Sequence, residues 1–161
     1  YWLSSTPDIP GSNTWNAACN RVSTAGLFTA SSGKHQIRVV NTHFDHVSQE
    51  ARENGAKLIL QRAELGDGKV PFVLLGDLNG KPDNTAIQVL TEELLDPYPL
   101  IFPADTSSGT FHGFKGNTSG RRIDYVLLHG VGEVLRYEIL HDNIDGHYPS
   151  DHFPVLCEFK F

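Results

Sequence analysis

The stretch from Val73 to Asn84, VLLGDLNGKPDN, is an apolar strand that runs straight into an Asp and an Asn. Asp77 and Asn79 are separated by a single residue, and alternate residues of a strand point to the same side of the pleat. A rigid strand end therefore delivers two short polar side chains to one place, where a single ligand can touch both. Taken without context, the pair is equally explained as a turn that satisfies local backbone groups.

The segments before this strand predict a hairpin and a helix. STAGLFTA and HQIRVVNTHF favour two paired strands joined by a short turn. Residues Gln49–Leu65 switch to helical periodicity, with Ser48 as the N-cap and GDGKVP as the stop signal. The central strand itself is predicted over Pro71–Leu75.

The segments after it predict a second helix and three strands. The helix covers Asn84–Leu95, with Asp83 or Asn84 as its cap, and a polar, Gly-rich loop covers residues 103–120. The strands are RRIDYVLLHG, EVLRYEIL and PVLCEFKF. An order that mixes hairpins with crossovers favours an α+β sandwich of sheet and flanking helices, in one domain over residues 1–161.

Composition restricts the function classes. The chain has 161 residues, enough to bury a core without metals or disulfides. A net charge of −6 with 13 Lys and Arg argues against a dedicated duplex-DNA binder, because such affinity rests on cations paired with phosphates. An acidic enzyme can still act on a phosphate ester when a bound metal supplies the positive charge. We expect neither a strong nucleic-acid patch nor a membrane segment, and the compartment stays open.

Polar residues recur at or near the predicted strand ends. Beside the Asp77/Asn79 pair they are His43, Asp124 and the adjacent Asp151 and His152. Caps, turns and ordinary hydrogen-bonded histidines explain most of them singly. Asp124 is the hardest to explain structurally, because it follows Ile123 and precedes Tyr125, and a lone buried carboxylate needs a His or a cation as a partner. Strand ends of covered sheets are also where functional sites are usually built.

The ordered set NTHFDH, GDLN, TFHGF, RIDYVL and SDH resembles the endonuclease/exonuclease/phosphatase superfamily, which comprises Mg²⁺-dependent phosphoesterases. The resemblance covers almost the whole chain and corresponds to the C-terminal portion of the DNase I-like β-sandwich. It implies a metal-dependent hydrolase that cleaves phosphodiester or phosphomonoester bonds, with Mg²⁺ or Mn²⁺ as the cofactor. A phosphate ester is then the substrate, and we expect a small or neutral-headed one.

The same resemblance implies roles for individual residues. His152 would be the general base or a phosphate contact, oriented by Asp124, and His43 a second phosphate contact. Asp77 and Asn79 would position the nucleophile and the phosphate oxygen. The metal would be held by Asp77 and Asp151. Further substrate contacts are expected from Asn79, Thr110, His112 and Arg122 or Arg121, and Arg21 is a weaker candidate.

The chain departs from the family pattern in one respect. Superfamily members carry an early strand with an Asn and a following Glu that is the principal Mg²⁺ ligand, and neither motif is present here. The chain also contains no Met, so we treat its N-terminus as cut. We expect the N-terminal half of the fold to be supplied by the same or a separate chain.

Two other function classes compete with this interpretation. Calcineurin-like metallophosphoesterases need an early Asp-x-His pair, GNH[DE] and a late GHxH, none of which occurs in this sequence. A non-catalytic phosphate-ligand or protein-interaction module that retained the fold is the alternative to the enzyme. A binding module has no chemical need for a base with its orienting carboxylate, which favours the enzyme.

Overall fold

The computed structural model describes residues 1–66 and 69–161. The strands described are β1 (Ser23–Thr29), β2 (Gln36–His43), β3 (Phe72–Asp77), β4 (Asp124–His129), β5 (Glu133–Ile139) and β6 (Val155–Lys160). The helices are α1 (Gln49–Ala63), α2 (Thr85–Thr91) and the short α3 (Tyr98–Ile101). This mixture of sheets and helices confirms the predicted α+β class. Across the part of the chain described, no helix is long and apolar enough to cross a bilayer.

The strands form two sheets. The larger has the order β1-β2-β3-β4, and the smaller pairs β5 with β6. β1 and β2 form the predicted antiparallel hairpin, β2 and β3 are parallel, and β3 and β4 are antiparallel. The parallel pair requires a crossover, and α1 makes it.

Local caps determine where α1 and α2 begin, and a long-range strand pairing determines where α2 ends. The Ser48 hydroxyl accepts from the Ala51 amide at 3.1 Å, as predicted, and Asn84 caps α2 by accepting from Ala86 at 2.9 Å. α2 ends at Thr91, short of the predicted Leu95, because Leu95 exchanges two backbone hydrogen bonds with Leu128 of β4. Two residues of the predicted stop signal after α1, 67 and 68, lie outside the described part.

One face of the larger sheet is covered by α1 and α2. Its core contains Val40, Phe72, Leu74, Tyr125 and Leu127 of the strands, Ala56, Ile59 and Ala63 of α1, and Ile87 and Leu90 of α2. Burying this apolar surface is the main favourable contribution to folding. The helices thus fix the central strands from one side only.

The opposite face of the larger sheet borders the smaller sheet across an apolar groove of about 470 Å³. The groove is lined by Ile37, Val39 and Val73 of the larger sheet and by Val155, Cys157 and Phe159 of β6. Phe28, which pairs with Ile37, is 59% exposed at the edge strand. We call this surface the inter-sheet groove.

Gly76 is required where β3 carries its polar end. Its φ is +135°, and a Cβ there would lie 1.9 Å from the carbonyl oxygen of Thr42 on the neighbouring strand. Gly76→Ala is expected to lower the free energy of unfolding by at least about 3 kcal/mol, since both strain and a backbone collision result. Chemical denaturation measures the change.

The matched control is Gly33→Ala in the β1–β2 turn, where φ is +72° but no atom lies within 4 Å of the added Cβ. This variant should lose only about 1 to 2 kcal/mol, the cost of the left-handed conformation alone. Equal losses in the two variants would contradict the close-approach argument.

Candidate active site

Strand register places three polar side chains in one row. His43 of β2 is the direct partner of Asp77 of β3, and Asp77 is the direct partner of Asp124 of β4. His43 Nε2 lies 3.2 Å from Asp77 Oδ2. Because the side chains of a strand alternate between faces, all three share the face that α1 and α2 do not cover. The row lies beyond the apolar residues of the inter-sheet groove.

The fourth member of the cluster, His152, lies outside the larger sheet. It precedes β6, and its Nδ1 lies 2.8 Å from Asp124 Oδ2. Its Nε2 is 3.9 Å from Asp77 Oδ2. The ring edge-packs against Phe111 at a centroid distance of 5.1 Å. One carboxylate thus holds the inner nitrogen of His152, while the outer nitrogen faces a second carboxylate.

Asp77 and Asn79 form a local pair as well as a part of the site. The Asn79 amide donates to Asp77 Oδ1 at 2.8 Å, which leaves Oδ2 for the two histidines. The side-chain amide of Asn79 donates to the Phe44 carbonyl at 3.0 Å. Asn79 has a φ of +47°, a left-handed conformation that Asn tolerates better than most residues. The interpretation of the pair as a turn is therefore confirmed, and its role as a ligand site stays a prediction.

Burial and neighbouring charges shift the titration of the row. Burial raises the pKa of Asp77, and the nearby Asp124 carboxylate raises it further. Partial burial lowers the pKa of His43; the Asp77 carboxylate opposes this shift, whereas Arg21 and His152 add to it. Ionising Asp77 beside a second carboxylate is unfavourable without a compensating cation.

The side chains of this cluster are suited to hold a divalent cation. Asp77, Asp124 and His152 each offer a ligand atom, and these atoms lie within 4.8 Å of one another. Carboxylate oxygens are the ligands that Mg²⁺ and Mn²⁺ prefer. Asp151, the other predicted metal ligand, is not a member of this group; its backbone carbonyl accepts from the amides of His112 and Gly113.

A second cluster of metal-ligand types, Cys19, Asp45 and His46, has a structural explanation. The Asp45 carboxylate accepts from the backbone amides of Cys19, Val47 and Ser48 and so orders the entry to α1. The Arg21 guanidinium lies 3.4 Å from His46 Nδ1, which disfavours a further cation there.

Three of the predicted substrate contacts lie in buried environments. Thr110 is fully buried, and His112 is stacked on Phe153 at 4.0 Å. Arg122 is bonded to Asp96 at 2.6 Å, between the rings of Tyr98 and Tyr125. The structure does not bring these three side chains to the cluster, because each is occupied by packing or hydrogen bonding in the fold.

Two exposed cations near the cluster, Lys81 and Arg121, are more accessible from solvent than these three side chains. Arg121, the alternative to Arg122, lies over the ring of Phe111, which in turn packs on His152. Lys81 was not singled out from the sequence. Both line a polar cavity of about 440 Å³ that also includes Asn79. The only sequence signal for Lys81 is its place in the turn directly after GDLN.

A base held by a carboxylate, next to a second carboxylate that fits a cation, is an arrangement typical of metal-dependent hydrolytic sites. The chain belongs to the Endonuclease/Exonuclease/phosphatase family, whose model matches residues 3–152. Membership confirms the resemblance and the DNase I-like fold inferred from the sequence motifs.

Several known proteins are similar to this chain. A functionally unknown conserved protein from Enterococcus faecalis V583 has a TM-score of 0.84 and 34% identity, over 99% of this chain and 63% of that one. A mannosyl-6-phosphatase from Bacteroides thetaiotaomicron VPI-5482 has a TM-score of 0.86 and 32% identity, over 100% and 64%. Nocturnin from Rattus norvegicus is 24% identical over 161 residues, 88% of this chain and 38% of the relative. The chain thus spans less than two thirds of each relative's length.

The charges around His43 give a test of the site geometry. Asp77→Asn should lower the pKa of His43 further, because it removes the attraction that opposes the downward shift. Arg21→Gln should raise that pKa, because it removes a repulsive cation. Titration of the His43 ring protons by NMR measures both.

Arg136→Gln is the control, since Arg136 pairs with Glu138 on β5 at the surface. It should leave the His43 titration unchanged. If the pKa of His43 moved in the same direction in Asp77→Asn and Arg21→Gln, the result would contradict the described arrangement.

Proposed function

We propose that this chain forms the catalytic part of a metal-dependent phosphoesterase that acts on a small, polar phosphate ester. The observation that carries the proposal is the 2.8 Å hydrogen bond between Asp124 Oδ2 and His152 Nδ1, with His152 Nε2 next to Asp77. Membership of the family and the 32%-identical mannosyl-6-phosphatase support the same reaction class.

Proton transfer is assigned to His152. When Nδ1–H donates to the Asp124 carboxylate, Nε2 holds the free lone pair and can take a proton from a water molecule. The Asp124 charge then stabilises the imidazolium that forms. A hydrogen bond at 2.8 Å also fixes the ring orientation, so that the reacting nitrogen stays beside Asp77.

Phosphate positioning is assigned to His43 and Asn79, with Arg21 as an additional cation. His43 Nε2 lies beside Asp77, and its imidazole is 53% exposed, so a ligand can reach it. Asn79 uses one amide hydrogen on the Phe44 carbonyl, and its second amide hydrogen is suited to a phosphate oxygen.

Asp77 would hold the metal, Mg²⁺ or Mn²⁺, together with the neighbouring Asp124 rather than the Asp151 expected from the sequence. When bound, the cation would neutralise phosphoryl oxygens and lower the pKa of a bound water. The raised pKa of Asp77 beside Asp124 supports this assignment, because a cation would relieve the unfavourable proximity of the two carboxylates.

The inter-sheet groove supports a proposal about what completes the fold. Its apolar lining, together with the exposed Phe28 at the sheet edge, suits additional β-structure packed across the groove. The similar solved structures extend beyond the part that this chain matches. We assign to that additional structure, in the same or a separate chain, a further carboxylate ligand for the metal.

The polar cavity beside Asn79 supports the choice of substrate. At about 440 Å³ it matches sites for small ligands rather than a duplex groove. Lys81 and Arg121 line it, with the carboxylate of Asp83 and the amides of Gln49 and Asn84. A hydroxyl-rich leaving group, as in a hexose 6-phosphate, suits this mixture of donors and acceptors.

The reaction is tested with p-nitrophenyl phosphate and bis(p-nitrophenyl) phosphate, assayed with Mg²⁺, Mn²⁺ or EDTA. Hydrolysis should require the metal. His152→Ala should reduce kcat by at least about 100-fold, because general-base catalysis contributes roughly 10² to 10⁴. Asp124→Asn should also reduce kcat while phosphate binding persists.

His147→Ala and Asp142→Asn are the matched controls, since both residues are exposed. They should retain full activity. Absence of turnover by the complete protein with any of these metals and esters, combined with retained phosphate binding, would favour the non-catalytic module instead.

The cavity assignment is tested with mannose 6-phosphate. Lys81→Ala should raise KM for this ester by roughly tenfold, which is the effect expected from losing one charge-assisted hydrogen bond. It should change kcat little. The KM for p-nitrophenyl phosphate, whose leaving group is apolar, should change less. Lys57→Ala, on the exposed side of α1, is the control, and an equal effect of Lys81→Ala on both esters would oppose the assignment.

A further inference from the structure

The side chain of Thr110 is an internal hydrogen-bond acceptor for the start of β4. The residue is 0% exposed. Its Oγ1 accepts from the backbone amides of Ile123 at 3.0 Å and Asp124 at 3.1 Å. Its own amide donates to the Arg121 carbonyl at 3.0 Å. One hydroxyl therefore fixes the backbone from which the Asp124 carboxylate projects.

The backbone of the same residue holds the segment that carries His152. The Thr110 carbonyl accepts from the Phe153 amide at 2.7 Å. The next residue, Phe111, forms a β-bridge with His152 and packs its ring on the imidazole. The amide of His112 then donates to the Asp151 carbonyl at 2.9 Å. Residues 110–112 thus lie as a short hydrogen-bonded segment between the segments of Asp124 and His152.

We propose that Thr110 is a positioning residue, which sets the separation between Asp124 and His152. The inference rests on the proposed function, in which His152 is the base. Asp124 begins a strand of the larger sheet and His152 precedes a strand of the smaller one, so the bond between them spans two sheets. Thr110 is bonded to both sides of that junction.

The hydroxyl, rather than the shape of the side chain, makes this contact. A hydroxyl oxygen can accept two hydrogen bonds, and here both donors are backbone amides. A Val of similar volume would leave two buried amides without that acceptor, which is unfavourable enough to shift the strand start. Full burial leaves Thr110 no surface for a substrate, so this role replaces the substrate contact expected from the sequence.

The test compares Thr110→Val with Thr110→Ser in the complete protein. Thr110→Val should reduce kcat for p-nitrophenyl phosphate by about 10- to 100-fold, the usual effect of losing a partner that orients a catalytic group. KM should stay within about twofold, because no substrate contact is lost. Thr110→Ser keeps the hydroxyl and should restore most of the activity.

A spectroscopic readout separates positioning from loss of folded protein. In ¹⁵N-histidine-labelled protein, the His152 Nδ1–H resonance reports its hydrogen bond to Asp124. It should be shifted or lost in Thr110→Val and kept in Thr110→Ser. Ser4→Ala is the control, because Ser4 is also a buried hydroxyl that accepts from a backbone amide, that of Thr6 at 3.1 Å. This variant should leave the resonance unchanged.

An unchanged His152 resonance in folded Thr110→Val would overturn the proposal, as would an equal loss in Thr110→Ser. Where Thr110→Val does not fold, Thr110→Cys takes its place, since a thiol is a weak acceptor; a His152 resonance identical to that of the natural protein would again overturn it. If the unsubstituted protein hydrolyses no ester, the proposed function fails, but the resonance comparison still decides the role of Thr110.

Discussion

Register among β2, β3 and β4 is the constraint on which the site depends. It aligns His43, Asp77 and Asp124 as direct cross-strand partners. A slip of one residue in either pairing would turn a polar side chain toward the face covered by α1 and α2. The apolar residues of the same strands oppose such a slip, because it would also bring Val40 or Leu74 out of the core. Packing on one face thereby determines the chemistry on the other.

The same arrangement concentrates like charges in a partly buried place. Asp77 and Asp124 are neighbours in the row, and burial raises the pKa of Asp77. Two imidazoles and one backbone amide surround the Asp77 carboxylate, and they compensate its charge only when they donate. A bound cation would compensate the negative charge of the two neighbouring carboxylates, and this is the physical basis of the metal assignment.

Most of the elements could be predicted because their signals are local. The alternation in β2, the cap residues Ser48 and Asn84, and the apolar run of β3 are each visible within a few positions. The motif residues could be recognised in the same way, because each lies at or next to the end of a predicted strand: His43, Asp77, Asn79, Asp124 and His152. What these signals lack is the partner in space, and the early end of α2 was missed because Leu95 pairs with the distant Leu128. The helix α3 was missed because four residues are too few to show a helical periodicity.

The loop residues show this limit most clearly. Arg122 has the chemistry of a phosphate contact, but its partner Asp96 lies 26 positions away in the sequence and buries it. Thr110 has the chemistry of a substrate contact, but its hydroxyl is used by the backbone of β4. Residue type alone does not distinguish a ligand from a structural partner, whereas exposure does, and exposure favours Lys81 and Arg121 instead.

Division of the site between two sheets has a mechanical consequence. The carboxylates and His43 belong to the larger sheet, and His152 reaches them from a segment that precedes β6 of the smaller one. The row is fixed by pairing within one sheet, whereas the Asp124–His152 hydrogen bond depends on how the segment before β6 is placed against that sheet. The inter-sheet groove is apolar and therefore resists sliding only weakly, since hydrophobic contact has little directionality. Directional hydrogen bonds restrain such a junction more strongly, and residues 110–112 supply them at the point where Asp124 and His152 meet.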